Sequence, residues 1–140
     1  TKGAGNAVLI KSAKPYIDIK SPTDTLAQMR KHYGSEGSHR PMRRLCGGQT
    51  LLCQALDLQV EDWNRRNFDR HVFYLEDIGL SPRKIIEAPR LGIPPGRDEN
   101  LLYRFVDLEH AADCTRNPLT VRHWKEGRHY RIKVTSDSSR

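Results

Sequence analysis

The chain has 140 residues and a formal net charge of +7, with 24 Lys and Arg against 17 Asp and Glu. That length suits one domain with one small core, while a hydrophobic fraction of 36% and a mean hydropathy of −0.72 leave apolar surface for a partner to cover. The longest uninterrupted apolar run, Ala7 to Ile10, falls far short of the roughly 20 residues of a membrane-crossing helix, which points to a soluble or peripheral protein.

Residues 1–20 mix small, apolar and Lys residues around Pro15 and read as an extended basic arm with a short strand at most. A helix is predicted from Ser21, with Pro22 in its first turn, Asp24 at capping-box spacing, Leu26, Met29 and Tyr33 along one face, and Gly34 as its stop. Residues 34–49 are rich in Gly and Ser, hold Pro41 and carry Arg40, Arg43 and Arg44, so they read as a strongly basic loop. From Thr50 to about Glu76 the stripe of Leu52, Leu56, Val60 and Trp63 predicts a long helix ending near Gly79.

Ser81-Pro82 predicts a short helix to about Ala88, and Pro89, Gly92, Pro94, Pro95 and Gly96 exclude regular structure beyond it. Asp98 is the predicted cap of a third long helix reaching Cys114, with Leu101, Phe105, Leu108 and Ala112 on one face. A further turn over Thr120 to Glu126 and a short edge strand over His129 to Val134 complete the chain. The expected fold is mainly α: an extended basic arm at 1–20, one domain of several helices at 21–126 and a basic tail at 127–140.

The basic excess sits at the ends. Residues 1–50 carry nine Lys and Arg against three acids, residues 51–100 seven against nine, and residues 101–140 eight against five. An anionic partner follows, either RNA, acidic lipid headgroups or an acidic protein face. Cys46, Cys53 and Cys114 are odd in number and lack a CxxC pair, so reduced thiols in the cytosol, nucleus or mitochondrial matrix are expected. The start at Thr1, with the first acid at Asp18, is compatible with a processed organellar precursor.

Enzyme motifs are thin. Gly3-Ala4-Gly5 lacks the third glycine and the preceding strand of a dinucleotide loop, and Gly47-Gly48 reads as an ordinary helix start. His110 and Cys114 are four residues apart but two ligands do not make a metal site. Neither a metal, a cofactor nor a small-molecule substrate is expected.

Taken in order, Trp63, Asn67-Phe68, Gly79-Leu80, Arg90, Ile93-Pro94, Tyr103-Arg104-Phe105, Asn117-Pro118 and Trp124 make a pattern. It resembles the small matrix-side helical subunit of ubiquinol-cytochrome c reductase, respiratory complex III, also called its ubiquinone-binding protein. The resemblance implies a non-catalytic accessory subunit, peripheral on the matrix side of the mitochondrial inner membrane, packed on cytochrome b and the core subunits and supporting electron transport. Trp63, Tyr103, Arg104, Phe105 and Trp124 are then its candidate partner-binding residues. Arg104 would either meet a partner carboxylate or pair internally with Glu99, Glu109 or solvent, and each Trp serves a core or an interface equally well. Arg40, Arg43 and Arg44 would face anionic headgroups or an acidic surface. The alternative is a mitochondrial ribosomal or other RNA-binding protein, in which the same three arginines contact phosphates.

Overall fold

The structure is a computed structural model and describes residues 7–135. The chain divides into two compact units, residues 1–66 and 67–140.

In the first unit residues 7–20 form no helix or strand, and Val8, Leu9 and Ile10 are exposed. Ala13 N–H ties the segment down by donating to the Cys46 carbonyl at 3.0 Å. Helix α1, Thr25–Lys31, falls inside the predicted span but is shorter. Asp18 and Ser21 close a local turn ahead of it, with Asp18 Oδ1 accepting the N–H groups of Lys20 and Ser21, so Ser21 is spent outside the helix. Helix α2, Gln49–Ala55, places Leu52 and Ala55 against Tyr33, Leu45 and Cys46, with Leu26, Met29 and Leu51 packed around them. Leu45 is fully buried and anchors this core.

The predicted long helix over residues 50–76 is broken. Asp57 adopts φ +51, a left-handed turn that the α-helix cannot propagate. Helix α3, Val60–Trp63, is one short turn, and Arg65 at φ +61 breaks the path again.

The second unit is built on strands. Strands β1 (Lys84–Ala88), β2 (Arg104–Asp107) and β3 (Arg131–Val134) form an antiparallel sheet in the order β2-β1-β3. The fold mixes short helices with a sheet and is not mainly α. Residues 81–88, expected as a helix, contain Ile85-Ile86, whose branched side chains favour a strand. The helix expected from 98 to 114 is replaced by β2 and a 3-10 turn at Ala111–Asp113, and Asp98, its expected cap, sits at φ +59 in a turn. The strand expected near the C-terminal end is present as β3, on one edge of the sheet.

Register fixes the two faces. Ile86 lies opposite Val106 and Ile132 in one row, and the next row holds Glu87 opposite Phe105 and Arg131 on the other face. The first row makes the core with Ala88 and Ala111, packed by Leu108, Cys114, Trp124, Tyr130 and Ile132.

Candidate nucleic-acid interface

Five of the eleven Lys and Arg of the first unit lie at the end of α1 and on the segment joining it to α2. Arg30 and Lys31 end α1, and Pro41, with φ −66, leads into a 3-10 turn at Met42–Arg44 in which Arg43 and Arg44 are exposed. The two residues that follow, Leu45 and Cys46, are buried, so the turn is held at its base. The Tyr33 hydroxyl reaches the carbonyl of Leu45 and, at 2.6 Å, that of Leu51; its single proton serves the two acceptors that fasten the connector to α2.

Arg40 packs over this tyrosine, its guanidinium carbon 5.0 Å from the ring centre. Arg30 Nε donates to the Arg40 carbonyl at 3.3 Å. The Nε of Arg40 is itself buried without a hydrogen-bond partner. Burial raises the Tyr33 phenol above its ordinary value; the Cys46 thiol pushes the same way and Arg40 opposes them. The ion pairs among the described residues, His32–Asp57, Asp107–His110 and Glu87–Arg131, leave out every one of Arg30, Lys31, Arg40, Arg43 and Arg44.

In the second unit Tyr103 and Phe105 are exposed. Arg104, between them, points to the opposite face from Phe105 and donates to the carbonyls of Thr115 at 3.3 Å and Arg116 at 2.6 Å. Burial lowers the pKa of Arg104, with Cys114 opposing and Arg116 adding to the shift. Trp124 packs on the sheet core and stacks with His129 at 6.4 Å between ring centres, while Trp63 ends α3, half-buried in the first unit. The five residues expected to bind a partner therefore fall into a β-strand segment, a core-packing indole and a residue of the other unit. Among the described residues no group of three or more His, Cys, Asp or Glu is placed to hold a metal.

Sequence reasoning overlooked Glu87 and Arg131. Glu87 is buried on β1, and its carboxylate accepts from Arg131 Nε of β3. An acid inside an Ile-Ile-Glu-Ala run was the available signal, had that run been read as a strand.

The sequence model of the methylpurine-DNA glycosylase family matches residues 1–111. The chain belongs to the methylpurine-DNA glycosylase family. It is 55% identical over 130 residues to a protein of Pseudomonas savastanoi pv. phaseolicola assigned as a 3-methyladenine DNA glycosylase, a match covering 92% of this chain and 58% of that relative. Relatives with the same assignment in Pseudomonas syringae pv. tomato and Pseudomonas fluorescens are 53% and 52% identical, again over 92% of this chain and over 58% and 56% of their own lengths. The chain spans somewhat more than half the length of these relatives. No solved structure matches at the same stringency.

Membership of this family overturns the resemblance to the complex III subunit and, with it, the expected partners, cytochrome b and the core subunits. The mitochondrial inner-membrane location falls too, since the relatives are bacterial and none of the described helices is long and apolar enough to cross a membrane. A non-catalytic role is likewise corrected, because methylpurine-DNA glycosylases are enzymes. The RNA-binding alternative finds no support in a family named for DNA. The landmarks misled because Gly-Leu, Ile-Pro and aromatic-Arg-aromatic are short pairings that turns and strands also use: Ile93-Pro94 lies in a loop and Tyr103-Arg104-Phe105 runs into β2.

Proposed function

We propose that this protein acts in DNA repair by releasing methylated purines from DNA, through hydrolysis of the N-glycosidic bond between base and deoxyribose. The observation that carries the reading is the family match over residues 1–111, supported by relatives above 50% identity assigned as 3-methyladenine DNA glycosylases. In the overall reaction water adds to the sugar carbon C1′, the bond to the purine nitrogen breaks with its electrons leaving on the base, and the proton from water balances the products. Methylation at a ring nitrogen makes the base cationic and a better leaving group. The enzyme's task is then to take the base out of the stack, which costs a few kcal/mol and least for a damaged base.

The connector between α1 and α2 fits the polyanionic substrate of such a reaction, since Arg40, Arg43 and Arg44 are not committed to carboxylates among the described residues. The test is incubation of the protein with methylated duplex DNA and quantitation of free 3-methyladenine. Release above the buffer rate is expected. DNA bound without any base released would overturn the enzymatic reading.

A further inference from the structure

Residues 30–44 hold five cations, Arg30, Lys31, Arg40, Arg43 and Arg44, against the one acid Glu36. Free surface arginines usually carry little information, because their side chains must be ordered before they bind anything. Here the backbone that displays them is already fixed. Arg43 and Arg44 lie in a 3-10 turn whose Arg44 N–H donates to the Pro41 carbonyl at 2.9 Å, and the chain dives into the core at the next residue. Arg40 is seated on the Tyr33 ring, its carbonyl is held by Arg30, and its Nε has lost water without gaining an acceptor. A buried donor with no partner calls for an explanation, and an anion taken up beside this guanidinium would displace less water than at a fully hydrated arginine.

We propose that Arg40, Arg43 and Arg44 form a pre-positioned contact for the backbone phosphates of DNA, independent of base sequence. This deepens the function proposed above and rests on that reading for the choice of DNA as the polyanion. The exposed pair, Arg43 and Arg44, supplies charge that releases condensed counterions on binding, and Arg40 braces the turn while offering its guanidinium to the same strand. Such contacts hold the duplex in register without reading it.

The experiment is fluorescence anisotropy with an undamaged duplex across a salt series, run beside the base-release assay. Each phosphate contact contributes a slope of about −0.9 in the log of affinity against the log of salt. The double variant Arg43→Gln with Arg44→Gln should therefore flatten the slope by about 1.8, so that raising salt four-fold weakens it about 12-fold less than the wild type. The double variant Arg43→Lys with Arg44→Lys keeps both charges and should keep the slope, which separates charge from any effect on folding. Wild-type binding with an unchanged slope in the Gln variant would overturn this contact while leaving the DNA reading intact. No wild-type binding to DNA at low salt would overturn both. Salt-sensitive binding that the Gln variant weakens, without base release, would uphold the contact and remove the enzymatic reading.

Discussion

The guanidinium of Arg40 lies over the ring of Tyr33, whose hydroxyl is engaged by the carbonyls of Leu45 and Leu51. One tyrosine thus joins the basic connector to the first unit's core, stacking outside and hydrogen bonding inside. Replacing Tyr33 with Phe keeps the ring and removes the proton donor. The variant should lose on the order of 1 to 3 kcal/mol, the cost of leaving a buried acceptor unsatisfied. Arg40→Ala, which removes only the partly exposed stack, should lose about 0.5 to 1 kcal/mol. Chemical denaturation of both variants checks the order, and an Arg40→Ala loss larger than that of Tyr33→Phe would contradict it.

Leu45 is fully buried between the connector and α2. Leu45→Ala should destabilise the first unit by about 2 to 5 kcal/mol through lost burial and the cavity left behind. Limited proteolysis near Arg43 and Arg44 should accelerate in step, because the turn loses its anchor. An unchanged cleavage rate would mean the turn is held by something other than this side chain.

In the second unit the Glu87 side chain is 7% exposed and its partner Arg131 is 65% exposed. Removing the arginine strands a buried carboxylate, whereas Glu87→Gln leaves a neutral group that still accepts from Arg131 Nε. Arg131→Ala should therefore be the more damaging change, by roughly 1 to 3 kcal/mol, at the lower end because solvent already screens the exposed partner. Equal melting temperatures for the two variants would contradict this.

Burial raises the Cys46 thiol above its ordinary 9.0 and the Tyr33 phenol above its ordinary 10.0. Below pH 9.0 both groups keep their protons in either state and the folded form has its full stability. As pH rises past 9.0 the unfolded chain releases the thiol proton first while the folded chain retains it, so stability falls. Denaturation midpoints at pH 7.5 and pH 10 should differ more for the wild type than for Cys46→Ala. An equal loss in both would remove Cys46 from the alkaline response.

What the sequence made legible was local chemistry. The Ser21–Gly34 span contains α1, the residues around Arg40 do form a connector, and the alternation after His129 marks β3. The long helices failed for a definable reason. Leu101, Phe105, Leu108 and Ala112 fit a 3.6-residue period, yet from Arg104 to Asp107 the structure follows a period of two, with Phe105 exposed and Val106 buried. Leu52 and Val60 belong to separate helices because Asp57 turns left-handed between them, a choice that hydrophobic periodicity does not register. The Arg40–Tyr33 stack folds the middle of the connector back on its start and could be inferred only from the packed structure. The family match spans residues 1–111 and so includes most of the landmarks from Trp63 to Phe105, but short pairings such as Gly-Leu and Ile-Pro do not tell one family from another.

On the proposed function, this chain takes part in cutting the bond between a methylated purine and its sugar. The most direct measurement uses a labelled duplex carrying one methylated purine at a known position, incubated with the protein and then treated with alkali, which breaks the strand wherever a base has been lost. Strand cleavage is expected at that position alone, growing with protein concentration and absent from the unmodified duplex. An intact strand at protein concentrations that saturate binding would contradict it.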